Sequence, residues 1–332
     1  MRAWLYLFFR KDIQMVYKEI QYVDKPVSRI FFGTATDPFL AGTDQSELLD
    51  AVLALGVNAI DTARVYQESE SVIGKWLAAR GCRDKVVLLS KCAHPSPLGV
   101  KRVSEKAIRS DFETSSRNLQ TDYIDIYLLH RDNPKVPAGD IVEWLNAMHA
   151  EGKIGAFGGS NWTHERIEEA NEYAYAHNLQ PFTASSPYFG LADQVCDPWG
   201  GGCISVAGPN NEPARDWYRK AGMPIIAYSS LANGLFSGRM KSDDTANVSK
   251  YLNKYSIKGY GCPENYERLR RCEEVAAQKG CTVPQIAMAW IYNQDLNVFA
   301  IVGTSNADRM RQNIEALDIK LSEEEIKYLD LQ

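Results

Sequence analysis

Four side chains from well-separated stretches of the chain could together hold and move a proton. They are Asp61, Tyr66, Lys91 and His130: a carboxylate, a phenol, an amine and an imidazole. The set offers no strong nucleophile and a poor metal site, so it suits proton-coupled redox chemistry on a carbonyl or an alcohol. Each lies at or just beyond the end of a short apolar run of strand character. Val57-Asn58-Ala59-Ile60 precedes Asp61, with Tyr66 in the loop beyond. Val86-Val87-Leu88-Leu89 precedes Lys91, and the run 124–129 precedes His130. A parallel sheet gathers the C-terminal ends of its strands on one face, so the four groups are expected to meet there.

The elements that must position them follow a regular alternation. Strand-like segments fall at 29–32, 58–60, 85–90, 124–129, 154–157, 182–184, 224–228 and 298–302, with segments of helical period between them. Leu48, Leu49, Val52, Leu53 and Leu55 share one face and end at Gly56, a C-terminal helix glycine. Ile141, Val142, Leu145 and Met148 repeat the pattern and end at Gly152. Thr163 and Asp44 read as N-caps, the latter with Glu47 in a capping box. Eight β-then-α units predict an α/β chain folded as a closed (β/α)8 TIM barrel with long loops at its C-terminal face. A doubly wound sheet would carry a Gly-rich phosphate fingerprint after its first strand, and Gly33-Thr34-Ala35-Thr36 supplies none.

Residues 15–332 are expected to form one domain, with 15–24 capping the bottom of the barrel. Residues 1–14 read as an extension outside the fold, because the apolar run 3–9 is too short for a signal-peptide core and no cleavage site follows. Two connections, 193–209 and 237–263, are longer than usual and follow strands six and seven, which makes them candidate lids.

Composition narrows the function classes. The chain has 332 residues and a net charge of −5, from 42 acidic and 37 basic side chains that are mixed along it. No basic block suggests nucleic acid as a partner, and no run of about 18 apolar residues suggests a membrane span. Seven cysteines without a CxxC pair imply reduced thiols in a cytoplasmic protein. Cys196 and Cys203, which flank Trp199 and three glycines, are the one pair that could form a disulfide or half a metal site. No metal is expected.

Just past the strand ends stand Thr34, Asp61, Lys91, His130, Ser160-Asn161, Ser185, Tyr228-Ser229 and Thr304, all of them polar or titratable. From about Lys18 onwards the chain resembles the aldo-keto reductases. The motifs that carry the resemblance are Asp61-Thr62-Ala63-Arg64-Val65-Tyr66, Ser69-Glu70, Ile73-Gly74, Ser90-Lys91, Tyr123-Ile124-Asp125 and Leu129-His130. Gly152-Lys153-Ile154, Gly159-Ser160-Asn161, Tyr228-Ser229-Ser230-Leu231 and Val302-Gly303-Thr304-Ser305 followed by Arg309 and Asn313 complete them.

The resemblance implies reduction of an aldehyde or ketone by hydride from a nicotinamide, with Tyr66 as proton donor. Physical chemistry is compatible with this. A phenol of pKa near 10 is a weak acid at neutral pH. A Lys91 ammonium at 4 Å could stabilise the phenolate by at most about 4 kcal/mol at an effective dielectric near 20, roughly 3 pK units before desolvation takes some back. Asp61 would keep Lys91 charged and oriented, and His130 would hydrogen-bond the substrate oxygen.

For the nucleotide, the resemblance implies that Tyr228 stacks on the nicotinamide while Ser160, Asn161 and Ser185 face its carboxamide. Gly33, Thr34 and Asp61 would lie beside it. Ser229, Leu231 and Arg239 would serve the pyrophosphate, and Gly303, Thr304, Ser305, Arg309 and Asn313 the adenosine end. Ser185 stands where many members have glutamine, and Gly303 where many have a lysine for the 2′-phosphate. With Arg309 and Ser305 present, NADP(H) is favoured over NAD(H). His94, Trp162, Tyr188, Phe189 and Trp199 could form an aromatic wall for a small-molecule carbonyl substrate. The alternative is a non-catalytic, NADP-binding regulatory subunit on the same barrel, as in the β-subunits of potassium channels. Oligomeric state is not legible.

Overall fold

The expected alternation closes on itself. A computed structural model describes residues 14–332, so the extension expected at 1–14 lies, Gln14 apart, outside the described residues. Two short strands, β1 (Tyr17–Lys18) and β2 (Val27–Ser28), pair antiparallel. Eight further strands follow: β3 (Ile30–Gly33), β4 (Ala59–Asp61), β5 (Val87–Cys92), β6 (Ile124–Leu129), β7 (Ile154–Ser160), β8 (Ala184–Ser186), β9 (Ile225–Ala227) and β10 (Val298–Val302). These pair in parallel in chain order, and β10 returns to β3 to close the barrel, so the chain is a (β/α)8 TIM barrel.

Alternation along each strand builds two cores. Phe31, Ala59, Val87, Leu89, Ile126, Leu128, Ala156, Ala184, Ile226, Phe299 and Ile301 fill the barrel, and Ile20 and Val27 join them from the segment before β3, where the expected bottom cap stands. Their chain neighbours Ile30, Phe32, Ile60, Leu88, Tyr127 and Phe157 face outward into the larger core beneath the helices. Any residue two positions beyond an inward core residue therefore also points inward, toward the C-terminal mouth.

The strands 124–129 and 298–302 fall as expected, and the other six differ from expectation by one to three residues at one or both ends. β5 starts at Val87 because Arg83–Lys85 forms a 3-10 turn, and β7 runs on to Ser160. Thr163 caps helix His164–Ala176 by accepting the Arg166 N–H at 3.3 Å. Asp44 does not cap: helix Ser46–Ala54 has Gln45 at its N-cap, and Asp44 bonds Ser46 N instead at 2.9 Å. Glu47 is then only the second helical residue, one short of the place a capping box requires. Gly56 and Gly152 end their helices at φ +87° and +71°, a conformation that costs glycine little. The segment 237–263 is partly ordered as a 3-10 stretch, Ser242–Lys250, and helix Lys254–Tyr260.

Helix Ser69–Arg80 packs against the end of helix Glu105–Leu119 through Gly74, where a Cβ would stand 2.1 Å from the Asn118 carbonyl oxygen. Alanine would favour the isolated helix by about 1 kcal/mol, but overpacking against backbone costs about 1–3 kcal/mol and cannot be relieved by a rotamer change. Gly74→Ala is therefore expected to destabilise the protein by up to about 2 kcal/mol net, read as a lower urea midpoint at unchanged m-value.

Candidate active site

The inward register delivers the predicted tetrad. Asp61 ends β4 two residues after Ala59, Lys91 lies in β5 two after Leu89, and His130 follows β6 two after Leu128. Lys91 Nζ makes a buried ion pair with Asp61 Oδ1 and donates to the Thr62 carbonyl at 3.0 Å. The same ammonium stands 5.2 Å from the centroid of the Tyr66 ring. Tyr66 meets His130 edge-on at 5.7 Å between centroids, and His94 meets His130 at 4.9 Å. Behind them runs a chain of hydroxyls. Ser69 Oγ donates to Thr34 Oγ1 at 2.7 Å, and Thr34 donates to the Asp61 carbonyl at 2.8 Å. The Thr34 hydroxyl thus braces the Asp61 main chain.

Electrostatics assigns each group a protonation state. Burial raises the Asp61 carboxyl above its usual range against the pull of Lys91. Burial acts the other way on Lys91, yet Asp61 and Tyr66 hold it above the ordinary lysine value. For Tyr66, burial outweighs the stabilising Lys91 charge and the phenol is raised, so it carries its proton at neutral pH. His130 is held well below the histidine range by burial first, then by Lys91, Arg131 and His94. Its ring is neutral, and Nδ1 is buried without a partner.

The positions assigned to the nucleotide run from the end of β7 across β9 to β10. Asn161, at φ +58°, accepts from the Tyr228 hydroxyl at 2.8 Å and from Ile204 N at 3.1 Å, and donates to Ser160 Oγ at 3.0 Å. Ser229 has φ +52°, and Leu231 is half-buried beside it. Arg239 is exposed, with Nε on Ser237 Oγ at 3.2 Å. Gly33 and Gly303 line a close approach between β3 and β10. A Cβ on the first would meet Ile301 Cγ2 at 2.7 Å, and one on the second would meet Thr36 Cγ2 at 3.1 Å. Thr304 turns the chain toward helix Ala307–Glu315, which Asn306 caps. Ser305 and Arg309 are exposed there and Asn313 is buried. These residues fit a dinucleotide: a cradle that excludes side chains leads from the tetrad to an exposed arginine at a helix start.

Four expected site residues are buried away from the cleft. Ser185 faces outward, its hydroxyl 2.7 Å from Tyr218 OH beneath helix Glu212–Ala221. The inward residue is Ser186, two after Ala184, and its buried hydroxyl has no partner. Trp162 is fully buried against Phe182 behind β7, and Phe189 is fully buried against Trp290. Both belong to the helix-layer core, so neither can form a substrate wall. Tyr188 is buried as well, its hydroxyl on the Ala192 carbonyl. His94 and Trp199 do stand at the site, the latter 5.8 Å from Tyr228.

Ser186 was findable from the period of two, counted from Ala184. Asp197 was hidden in a glycine-rich loop. Its carboxylate accepts from the N–H groups of Trp199, Gly200, Gly202 and Cys203 at 2.8–3.1 Å, which fixes the turn of the 193–209 segment. Cys196 and Cys203 are free thiols.

A TIM barrel with a protonated phenol, a compensated ammonium and a neutral imidazole at its C-terminal mouth has the constitution of a barrel oxidoreductase. The chain belongs to the aldo-keto reductase family, whose model, described as "Aldo/keto reductase family", matches residues 29–331. It is 27% identical to an aldo-keto reductase of Strobilurus tenacellus, over 96% of this chain and 89% of the relative. It is 29% identical to a putative aryl-alcohol dehydrogenase of Saccharomyces cerevisiae, over 90% and 80%. A norsolorinic acid reductase of Aspergillus flavus is 26% identical, over 90% and 74%.

A histidine whose folded-state pKa is depressed favours the folded protein above the unfolded value and costs stability as pH falls below about 6.5, where only the unfolded chain takes up the proton. The His130 ring resonances, assigned with His130→Asn, should therefore stay flat between pH 8 and 6 by NMR. A titration midpoint near 6.5 would contradict the neutral assignment.

Proposed function

We propose that this protein is an NAD(P)H-dependent carbonyl reductase, with Tyr66 as the proton donor to the carbonyl oxygen. One observation carries the reading: the Tyr66 phenol ring meets the His130 imidazole edge-on and lies 5.2 Å from the Lys91 ammonium, which is paired with Asp61. When bound, a reduced nicotinamide supplies the hydride that no side chain can. The chain's residues do the rest. His130, uncharged, donates a hydrogen bond that fixes the carbonyl oxygen and its angle. Tyr66 gives that oxygen its proton as the carbonyl carbon becomes tetrahedral, and the nearby Lys91 charge stabilises the phenolate left behind. Asp61 keeps Lys91 charged and, through the buried pair, holds it in place. Alcohol oxidation runs the same steps in reverse.

Tyr228, Ser160, Asn161 and Ser186 are the residues that would hold the nicotinamide end. Ser229, Leu231 and Arg239 would line the pyrophosphate, and Thr304, Ser305, Arg309 and Asn313 the adenosine. Gly303 offers no cation, so the reading that NADP(H) is preferred rests on Arg309 with Ser305, both exposed at the start of helix Ala307–Glu315. Since one relative is named an aryl-alcohol dehydrogenase, aryl aldehydes are the first substrates to try.

Loss of general acid catalysis typically costs 10²–10⁴-fold. Tyr66→Phe should lower kcat for aldehyde reduction by about that factor while NADPH affinity, measured by fluorescence titration, stays within about threefold. Turnover near the wild-type rate would remove Tyr66 from the mechanism. Arg309→Ala should raise the Kd of NADPH about tenfold or more and that of NADH far less. Equal losses would place the 2′-phosphate elsewhere.

A further inference from the structure

Beside the tetrad lies a cation that the proposed reaction does not use. Arg131 directly follows His130 and is only 7% exposed. Its Nη1 donates to the His130 carbonyl at 3.1 Å and its Nη2 reaches Cys203 Sγ at 3.5 Å. Gly201 also lies close, since a Cβ there would come within 3.9 Å of Nε. The guanidinium therefore sits between the barrel mouth and the 193–209 segment. Its charge acts on the neighbouring rings: burial raises the Tyr66 and Tyr228 phenols and Arg131 opposes it, while burial lowers the His94 and His130 imidazoles and Arg131 adds to it.

Among the described residues no carboxylate forms an ion pair with it. Lys91, the buried cation of the tetrad, has Asp61. Asp132, the next residue in the chain, faces Arg166 at 3.4 Å. Asp197, on the 193–209 segment, is engaged by four backbone N–H groups. Cys203 is not an anion either, because burial and the Asp197 hydrogen bond push its thiol up to about 12. A buried cation without a counter-charge is costly, and folding tolerates it where a ligand completes the pair.

We infer that Arg131 is the substrate's carboxylate anchor: the protein reduces carbonyl compounds that also carry a carboxylate, which seats on the Arg131 guanidinium beside Cys203, with the carbonyl at Tyr66. The inference rests on the carbonyl-reductase reading and names its substrate class. A guanidinium matches a carboxylate with two parallel hydrogen bonds, which a lone ammonium cannot do. A phosphate fits less well. One guanidinium, with the rings of His94, Trp199 and Tyr228 elsewhere at the barrel mouth, offers too little charge to strip a dianion of its water. The aromatic rings favour a planar acid.

The test compares two aldehydes that differ only in charge, 4-formylbenzoate and its methyl ester, with the full-length protein and NADPH at pH 7. Wild type should reduce the acid with a kcat/KM at least about tenfold above that of the ester, the usual size of a charge-assisted hydrogen bond. Arg131→Met should bring the ratio to near one, and Arg131→Lys should retain part of it. Calorimetric titration in the presence of NADP+ should show wild type binding the acid at least about tenfold more tightly than the ester, and this arm decides should Arg131→Met fail to fold. Equal wild-type values for acid and ester would overturn the inference and leave the carbonyl-reductase reading standing. A KM for NADPH that rises in Arg131→Met by the same factor would overturn it too, assigning the arginine to the nucleotide. Reduction of neither aldehyde would count against the reductase reading, and the calorimetric preference would then judge Arg131 alone.

Discussion

The buried pair of Lys91 and Asp61 is the interaction on which the site depends. The two residues come from adjacent strands, β5 and β4, and are each about 3% exposed. Either charge alone in that position would be driven to neutralise, because desolvation of an isolated ion costs several kcal/mol. Together, with the Thr62 carbonyl as a further acceptor, they place a fixed ammonium near Tyr66 without adding net charge to the cleft. The field of that ammonium acts on two neighbours in different ways. It offsets part of the burial that raises the Tyr66 phenol, and it helps keep His130 neutral. The phenol keeps its proton because burial outweighs the ammonium, and the imidazole stays neutral because burial and the ammonium act together.

The barrel makes that pair possible by the same alternation that fills its core. Ala59 and Asp61, Leu89 and Lys91, Leu128 and His130, Ala184 and Ser186 are successive inward residues, apolar below and polar at the mouth. Site and core are thus one pattern read at two heights. The outward positions serve the helix layer instead, where Trp162 packs on Phe182 and Phe189 on Trp290. A one-residue shift exchanges the two roles, which is why Ser185 bonds Tyr218 and Ser186 keeps a free hydroxyl within the barrel mouth.

The 193–209 segment is organised by hydrogen bonds rather than by secondary structure. Gly200, Gly201 and Gly202 all have positive φ, so their N–H groups can converge with those of Trp199 and Cys203 around the Asp197 carboxylate. Burial opposes ionisation of Asp197, but the donors from Cys203, Gly200 and Gly202 hold its pKa at about 2. Further along, Asn161 bonds both Ile204 of the segment and Tyr228 of the barrel mouth. The segment therefore docks on the same asparagine that orients the aromatic ring beside the site, and it brings Cys203 to Arg131 and Trp199 to Tyr228.

The sequence by itself determined the barrel, its strand order and the meeting of Asp61, Tyr66, Lys91 and His130. Those follow from local rules: apolar runs of strand length, helical periods ended by Gly56 and Gly152, and the convergence of parallel strand ends on one face. Where local chemistry was shared between two outcomes, the tertiary structure decided. Trp162 and Phe189 are aromatic whether they line a cleft or fill a core, and only packing sent them to the helix layer. Asp44 and Gln45 competed for one helix start, and the first turn settled it. Asp197 and Arg131 acquired their surroundings through contacts between distant segments, which no spacing along the chain encodes.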